Sequence, residues 1–397
     1  MELSKKAKQI APSTTLAITA KAKKMKSEGI NVISFGAGEP DFDTPQYIKD
    51  AAIDAINNGL TRYTPASGII ELKEAICNKL RKENGLEYSA NEIVISNGAK
   101  HSIYNALMAI CNPGDEVIIP VPYWVSYPEL AKLVDAIPVF IHTDEKNQFK
   151  INIEELKNKI TPKTKAIIIN SPSNPTGTVY TEEELSKIAE IVVENDLIVI
   201  SDEIYEKLIY DGYKHISIAY LNKDIKERTI VINGMSKAYA MTGWRIGYTA
   251  SNKEIASLMA NIQSHATSNP NTIAQYASVE ALRGNQKEIE IMRKEFEKRR
   301  NFMVDRINKI SGLTCVNPLG AFYVMVNITN LKGKMFNGKS ILTSLDFANV
   351  LLEEEKVAVI PGDAFGDDNY IRLSFATSLE QIKEGLDRID SFIQKIK

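Results

Sequence analysis

Between residues 92 and 250, short apolar runs alternate with amphipathic stretches, and no other feature restricts the fold of this 397-residue chain as strongly. Strands are predicted at Ile93–Ser96, Glu116–Pro120, Ile137–His142, Ala166–Asn170, Leu197–Ser201, Thr229–Ile232 and Arg245–Ala250. Between two of them a helix is predicted over Thr181–Glu194. Thr181 and Glu184 form a capping box there, and Leu185, Ile188, Ala189, Val192 and Val193 share an apolar face. Strands separated by helices predict an α/β fold, with a mainly parallel sheet covered on both faces. Open sheets of that kind bind ligands beyond the carboxyl ends of their strands. The residues that follow each strand are therefore the candidates for function.

Asn97-Gly98-Ala99-Lys100 follows the first strand and opens a helix, where small residues let backbone N–H groups approach a phosphate. Asn170-Ser171-Pro172-Ser173-Asn174-Pro175-Thr176-Gly177 follows the fourth as a rigid turn able to present Asn174. Asp202 follows the fifth, with Tyr205 three positions on. The sixth leads to Asn233-Gly234-Met235-Ser236-Lys237, and Arg245 stands eight residues further. A lysine just past a buried strand, among small residues, loses its proton easily and can form a Schiff base with a carbonyl. An arginine is a permanent cation suited to a phosphate. One aldehyde with a phosphate tail needs both groups, and that is pyridoxal 5′-phosphate. An aspartate would hold its pyridine nitrogen protonated, while a phenol and an amide donate to the ring oxygen. Singly, each residue also has a structural reading: Gly98 as a helix cap, Asn174 as a turn residue, Asp202 as an N-cap. Together, at successive strand ends, they match the cofactor.

The remaining sequence bounds the problem. A chain of this length exceeds what one core serves, so two domains are expected. The net charge of −2 gives no drive toward nucleic acid or anionic membranes, and the apolar runs are too short to span a bilayer. Pro12, Ser13, Thr14 and Thr15 interrupt any signal-peptide core, so a cytoplasmic location is expected. Cys77, Cys111 and Cys315 are scattered, as are His101, His142, His215 and His265, and no metal site is expected. Helices are predicted near Gln46–Asn57 and Ile69–Glu83, with an exposed loop from Thr61 to Gly68 between them. A long helix over 286–310 leads into an α+β segment with strands Ala321–Val326 and Tyr370–Ala376. In the latter, alternation sets Arg372 and Ser374 opposite Ile371, Leu373 and Phe375, so Arg372 is either an ion-pair anchor or a carboxylate receptor. Gly333-Lys334-Met335-Phe336-Asn337-Gly338-Lys339-Ser340 matches the P-loop pattern, but its bulky interior argues for coincidence.

The segments Asn170–Gly177, Asp202–Tyr205, Ser236-Lys237 and Thr242–Gly247 resemble the signature of the fold-type I, class I pyridoxal-phosphate aminotransferases. Gly38-Glu39-Pro40-Asp41-Phe42, Arg62-Tyr63-Thr64 and Pro122–Tyr127 resemble their prokaryotic aspartate aminotransferase branch, and the likeness runs from about residue 12 to the C-terminus. The resemblance implies amino transfer between L-aspartate and 2-oxoglutarate, by a homodimer with shared active sites. Enzymes for aromatic amino acids or prephenate, and fold-type I lyases, share most of these motifs and remain alternatives. A cofactor-binding regulator is disfavoured by the lack of an added DNA-binding segment. By resemblance Lys237, Asp202 and Tyr205 are catalytic. Gly98, Ala99, Lys100, Ser236, Arg245 and the neighbouring subunit's copy of Tyr63 serve the phosphate end. Trp124 would stack on the ring, Asn174 would meet its oxygen, and Gly38, Trp124, Asn174 and Arg372 would meet the substrate. Where some members carry a phosphate-binding serine, this chain has Gly234. The expected organisation is an arm at 1–13, a small α+β domain from 14–45 and 286–397, and a large cofactor-binding domain at 46–285.

Overall fold

The computed structural model describes residues 2–12 and 14–396; Met1 and Ser13, both within the expected arm, lie outside the described residues. Seven strands form the large sheet: β1 (Ile93–Ser96), β2 (Glu116–Val121), β3 (Ile137–His142), β4 (Thr164–Asn170), β5 (Ile198–Asp202), β6 (Thr229–Gly234) and β7 (Gly247–Ala250). Their spatial order is β1-β7-β6-β5-β4-β2-β3. From β6 across to β3 the strands are parallel, and β7 runs antiparallel to both β6 and β1. The parallel strands β4, β5 and β6 are runs rich in Ile and Val buried on both faces, as a sheet sandwiched between helices requires. Helix α1 (Ala99–Ile110) covers one face and α2 (Glu182–Glu194) the other. Helix α2 starts at the Thr181–Glu184 capping box expected from sequence.

One expected strand is corrected. Arg245 was placed in a strand with Ala250, but the strand begins only at Gly247 and Arg245 has φ of 56°. A short 3₁₀ turn over Thr242–Trp244 precedes it, and a left-handed residue ends that turn. The chain thereby reverses and re-enters the sheet antiparallel to β6. Gly234 and Gly247 lie opposite one another in this pairing, and a Cβ at Gly234 would come within 2.7 Å of the Ile246 carbonyl and 2.9 Å of the Gly247 Cα. That crowding accounts for the glycine at this position.

A four-stranded sheet has its centre in β9 (Tyr323–Asn327) and β11 (Tyr370–Ser374), flanked by β8 (Thr314–Cys315) and β10 (Ile360–Pro361). Ile33–Ser34 pairs in parallel with Val357–Ala358, so an N-terminal segment shares a core with the C-terminal third. Phe296, Met303 and Ile307 of α3 (Lys287–Ile307) are buried in that same core. The P-loop match is a β-hairpin: Lys334–Phe336 pairs antiparallel with Lys339–Ile341 around Asn337-Gly338, both with positive φ. Asn-Gly is the two-residue turn that right-handed strand twist favours. A hairpin offers no phosphate-wrapping loop before a helix, so the nucleotide reading fails. The arm contains a short helix, Lys5–Gln9, with no buried residue.

Candidate active site

A cavity of about 720 Å³ opens at the carboxyl ends of β4, β5 and β6, between the large sheet and the four-stranded one. Parallel pairing sets Asn170 beside Asp202 and Asp202 beside Ile232, which brings the ends of three strands to one place. Of the residues singled out above, Gly38, Ala99, Lys100, Trp124, Asn174, Asp202, Tyr205, Ser236, Lys237, Arg245 and Arg372 all line it. Gly98 adjoins it at the mouth of α1, with φ of 88°, and a Cβ there would run into the Arg245 guanidinium. Only Tyr63 stands apart, 91 % exposed on the surface of its own chain.

Lys237 projects into this cavity and donates to the carbonyl of Gly38. Its amine lies 5.7 Å from the Tyr205 ring centre and 5.6 Å from that of Phe322. Burial lowers its pKa to about 8; Arg372 and Arg245 act in the same direction, while Glu39 and Asp202 oppose them. A neutral, nucleophilic amine is therefore accessible near physiological pH.

Asp202 is buried, and one carboxylate oxygen accepts from the Tyr127 hydroxyl at 2.7 Å. The other accepts from the Ile204 backbone N–H at 3.3 Å. Burial raises its pKa to about 6, although both hydrogen bonds and the Lys237 charge favour the anion. A carboxylate in that condition gains from a cationic N–H partner in the cavity. Tyr205 donates to or accepts from Tyr323 at 3.1 Å, and burial pushes its phenol well above the ordinary range.

Arg372 is only 2 % exposed. Its Nη1 donates to the Asn174 side-chain oxygen at 2.8 Å, which leaves the Asn174 amide free to donate elsewhere. The rings of Tyr323 and Phe365 lie 4.2 Å and 4.9 Å from the guanidinium carbon. Nε and Nη2 are buried without a hydrogen-bond partner among the described residues. Those two atoms form one edge of the guanidinium, the shape that grips a carboxylate with two parallel bonds. Among the described residues no carboxylate meets Arg372, which disfavours the ion-pair-anchor alternative.

At the other end, Arg245 donates from Nη1 to the Thr242 carbonyl at 2.9 Å and from Nη2 to the Asn97 carbonyl at 3.4 Å. The Lys100 amine sits 4.9 Å from the Trp124 ring centre, and burial followed by the Arg245 charge lowers its pKa. Among the described residues, Lys100, Lys237, Arg245 and Arg372 all lack an ion-pair partner within 4 Å. Lys23 and Lys26 also line the cavity, and unpaired cations gathered around one cavity make a receptor for a ligand carrying several anionic groups.

Sequence reasoning gave no role to Tyr127, Tyr323, Glu39, Thr242 or Thr15, all of which line or brace the cavity. Tyr323 becomes readable once β9 is paired with β11, because Tyr323 then opposes Ser374 and shares a face with Arg372. That pairing bridges about fifty residues and leaves no local trace.

Fold and site together define a sheet-end receptor for an aldehyde-reactive lysine and anionic groups. The model of the family described as aminotransferase class I and II matches residues 30–389, and the chain belongs to that family. It is similar to an aspartate aminotransferase of a Bacillus species, 53 % identical over 99 % of both chains. It is also similar to an aspartate/prephenate aminotransferase of Nitrosomonas europaea, 46 % identical over 99 % of this chain and 100 % of that one. Its structure resembles the aspartate aminotransferase of Rhizobium meliloti, with a TM-score of 0.97, 43 % identity and full coverage of both chains. The Thermus thermophilus aspartate aminotransferase solved with maleate gives 0.93 at 40 % identity, over 99 % of this chain and 100 % of that one. The protein is an aminotransferase.

Proposed function

We propose that this aminotransferase uses pyridoxal 5′-phosphate to exchange amino groups between L-aspartate and 2-oxoglutarate, giving oxaloacetate and L-glutamate. The observation that carries the reading is Arg372, a buried guanidinium with an open Nε–Nη2 edge in the same cavity as Lys237 and Asp202. The residues present fit the cofactor: unpaired Arg245 and Lys100 stand at a helix N-terminus, and a buried carboxylate stands at the floor. When bound, pyridoxal phosphate supplies the aldehyde carbon that exchanges nitrogen for oxygen and a ring that accepts electron density.

The chain's own residues then divide the work. Gly98, Ala99, Lys100, Ser236 and Arg245 would hold the phosphate. Asp202 would keep a proton on the pyridine nitrogen, and Tyr127, bonded to its carboxylate, orients Asp202. Tyr205 and the Asn174 amide would serve as donors to the cofactor's ring oxygen, and Trp124 would supply an apolar face to its ring. Arg372 clamps the substrate α-carboxylate, which fixes the Cα–H bond relative to Lys237. Lys237 moves the proton from Cα, a task suited to an amine whose pKa lies near 8. Gly38 leaves the cavity wall open to the α-carboxylate. The side-chain carboxylate of aspartate meets Lys100, a point charge beside the Trp124 face. That pairing of cation and ring also favours a second reading, aromatic or prephenate-type substrates on the same scaffold, in keeping with the name of the Nitrosomonas relative.

We propose further that 14–45 and 286–397 act as a small domain against 46–285, with 1–13 as an arm. The working form is a homodimer, because Tyr63 is exposed together with Ile53, Ile56 and Ile70. The protein works in the cytoplasm, in keeping with three unpaired cysteines. A substrate panel read by the visible absorbance of the cofactor tests the reaction. Aspartate and glutamate should each convert it and yield their 2-oxo acids. Conversion by phenylalanine or tyrosine but not by aspartate would favour the second reading; eliminated or decarboxylated products would overturn both.

A further inference from the structure

The cavity holds one carboxylate that the proposed chemistry leaves unused. Glu39 lies next to Gly38, whose carbonyl accepts from Lys237, and it lines the same wall. It forms no ion pair among the described residues, although unpaired cations stand around it. Its Oε2 accepts from the Thr242 hydroxyl at 2.8 Å, and the Thr242 carbonyl accepts from Arg245. Nearby, the Thr44 hydroxyl donates to the Ala240 carbonyl at 2.7 Å and accepts from the Trp244 indole at 3.1 Å. Arg299 grips Asp41 with bonds of 2.8 Å and 2.9 Å. The segment from Gly38 to Thr44 is thus tied both to α3 and to the turn that carries Lys237 and Arg245. A carboxylate on so braced a segment is a fixed charge.

We propose that Glu39 is a positioning residue: its carboxylate, held by Thr242 on the cavity wall beside the Gly38 carbonyl that receives Lys237, keeps that amine directed into the cavity. The idea rests on the reading of Lys237 as the amine joined to the cofactor. Asp202, the other anion facing Lys237, is buried beneath the cavity and already bonded to Tyr127. From the four-stranded sheet Arg372 and the phenol of Tyr323 face the amine; from the large sheet and α1 come Tyr205, Arg245 and Lys100. Against these cations Glu39 is the strongest influence retaining the proton on Lys237. With Gln in place of Glu39, burial together with Arg372 and Arg245 would drive that proton off at lower pH.

The test is a pH titration of the visible absorbance of the cofactor-loaded wild type, Glu39→Gln and Glu39→Asp at low salt. Glu39→Gln should titrate lower by roughly half a unit to one unit, less than for a buried pair because Glu39 is open to solvent. The gap should close in high salt, and Glu39→Asp should recover part of it. In cofactor-free chains, reductive methylation of Lys237 by formaldehyde, read by peptide mass, should shift the same way. That measurement does not depend on cofactor retention. Coincident low-salt titrations and coincident labelling profiles would overturn the proposal. Borohydride fixation provides a separate arm: cofactor fixed to another lysine would overturn the reading of Lys237 and this proposal with it. Fixation at Lys237 with unshifted titrations would overturn the role of Glu39 alone.

Discussion

Lys237, Asp202 and Arg372 each owe their chemistry to burial beside particular partners, so their substitution should give distinct signatures. Lys237→Ala should abolish turnover, and borohydride should no longer fix cofactor to the chain; a fixed adduct would show another lysine at work. Asp202→Ala should retain cofactor through the phosphate contacts but lose activity by about 10²–10³-fold, the scale of one misplaced electrostatic group. Arg372→Lys removes the two-atom edge and should lower kcat/KM by about 10- to 100-fold for every amino acid. Lys100→Ser should instead hurt aspartate and glutamate far more than phenylalanine or tyrosine. Equal losses on both classes would leave Lys100 as a phosphate contact only.

Among elements, the junction of β6, β7 and α1 leaves no room for an added atom at Gly247. A Cβ at Gly247 would run into the backbone of Gly98 and Ala99, which no rotamer change relieves. Gly247→Ala should therefore destabilise by about 1–3 kcal/mol, read as an earlier denaturant midpoint. Glu206, just after β5, ties the helix Ile70–Lys79 to the sheet through Lys79, and accepts from Asn84 at 2.9 Å. Burial alone would raise its pKa, but the charges of Lys79, His215 and Lys207 outweigh this and hold it at about 2. A depressed carboxylate contributes stability above its unfolded value of 4.5 and loses it as pH falls toward 2. Acid unfolding of Glu206→Gln should accordingly start from a lower stability and depend less on pH across that window. An unchanged pH profile would remove the pair from the stability of this junction.

For the whole molecule, the exposed Tyr63 is the feature that one chain leaves unexplained. If it serves a neighbouring subunit, mixing inactive Lys237→Ala chains with inactive Tyr63→Ala chains should restore part of the activity, because some heterodimers carry one intact site. Sedimentation of active enzyme at high dilution should give a dimer; a fully active monomer would exclude shared sites. The cavity itself belongs to this scale. Arg372 reaches it from the C-terminal sheet, Gly38 from the N-terminal segment and Lys237 from the large sheet.

Local sequence determined the large sheet and many of the residues that line its cavity, because most strands are short apolar runs ended by small or polar residues. The matching boundaries of β1, β3 and the helix over Gln46–Asn57 follow from patterns complete within a dozen residues. Lys237, Asp202 and Asn174 were legible for the same reason: a strand end in a parallel sheet is already a position in the site. Tertiary structure decided what depends on distant partners. It turned Arg245–Ile246 into a reversal that sends β7 antiparallel, since the direction of a strand is set by its neighbours and not by its composition. It also joined Tyr127 to Asp202 and Glu39 to Thr242, contacts across 75 and about 200 positions. It left the Nε–Nη2 edge of Arg372 buried and open, which alternation could place on a face but could not distinguish from an ion pair. Satisfaction of a buried charge is a property of everything folded around it, and only the assembled chain contains that information.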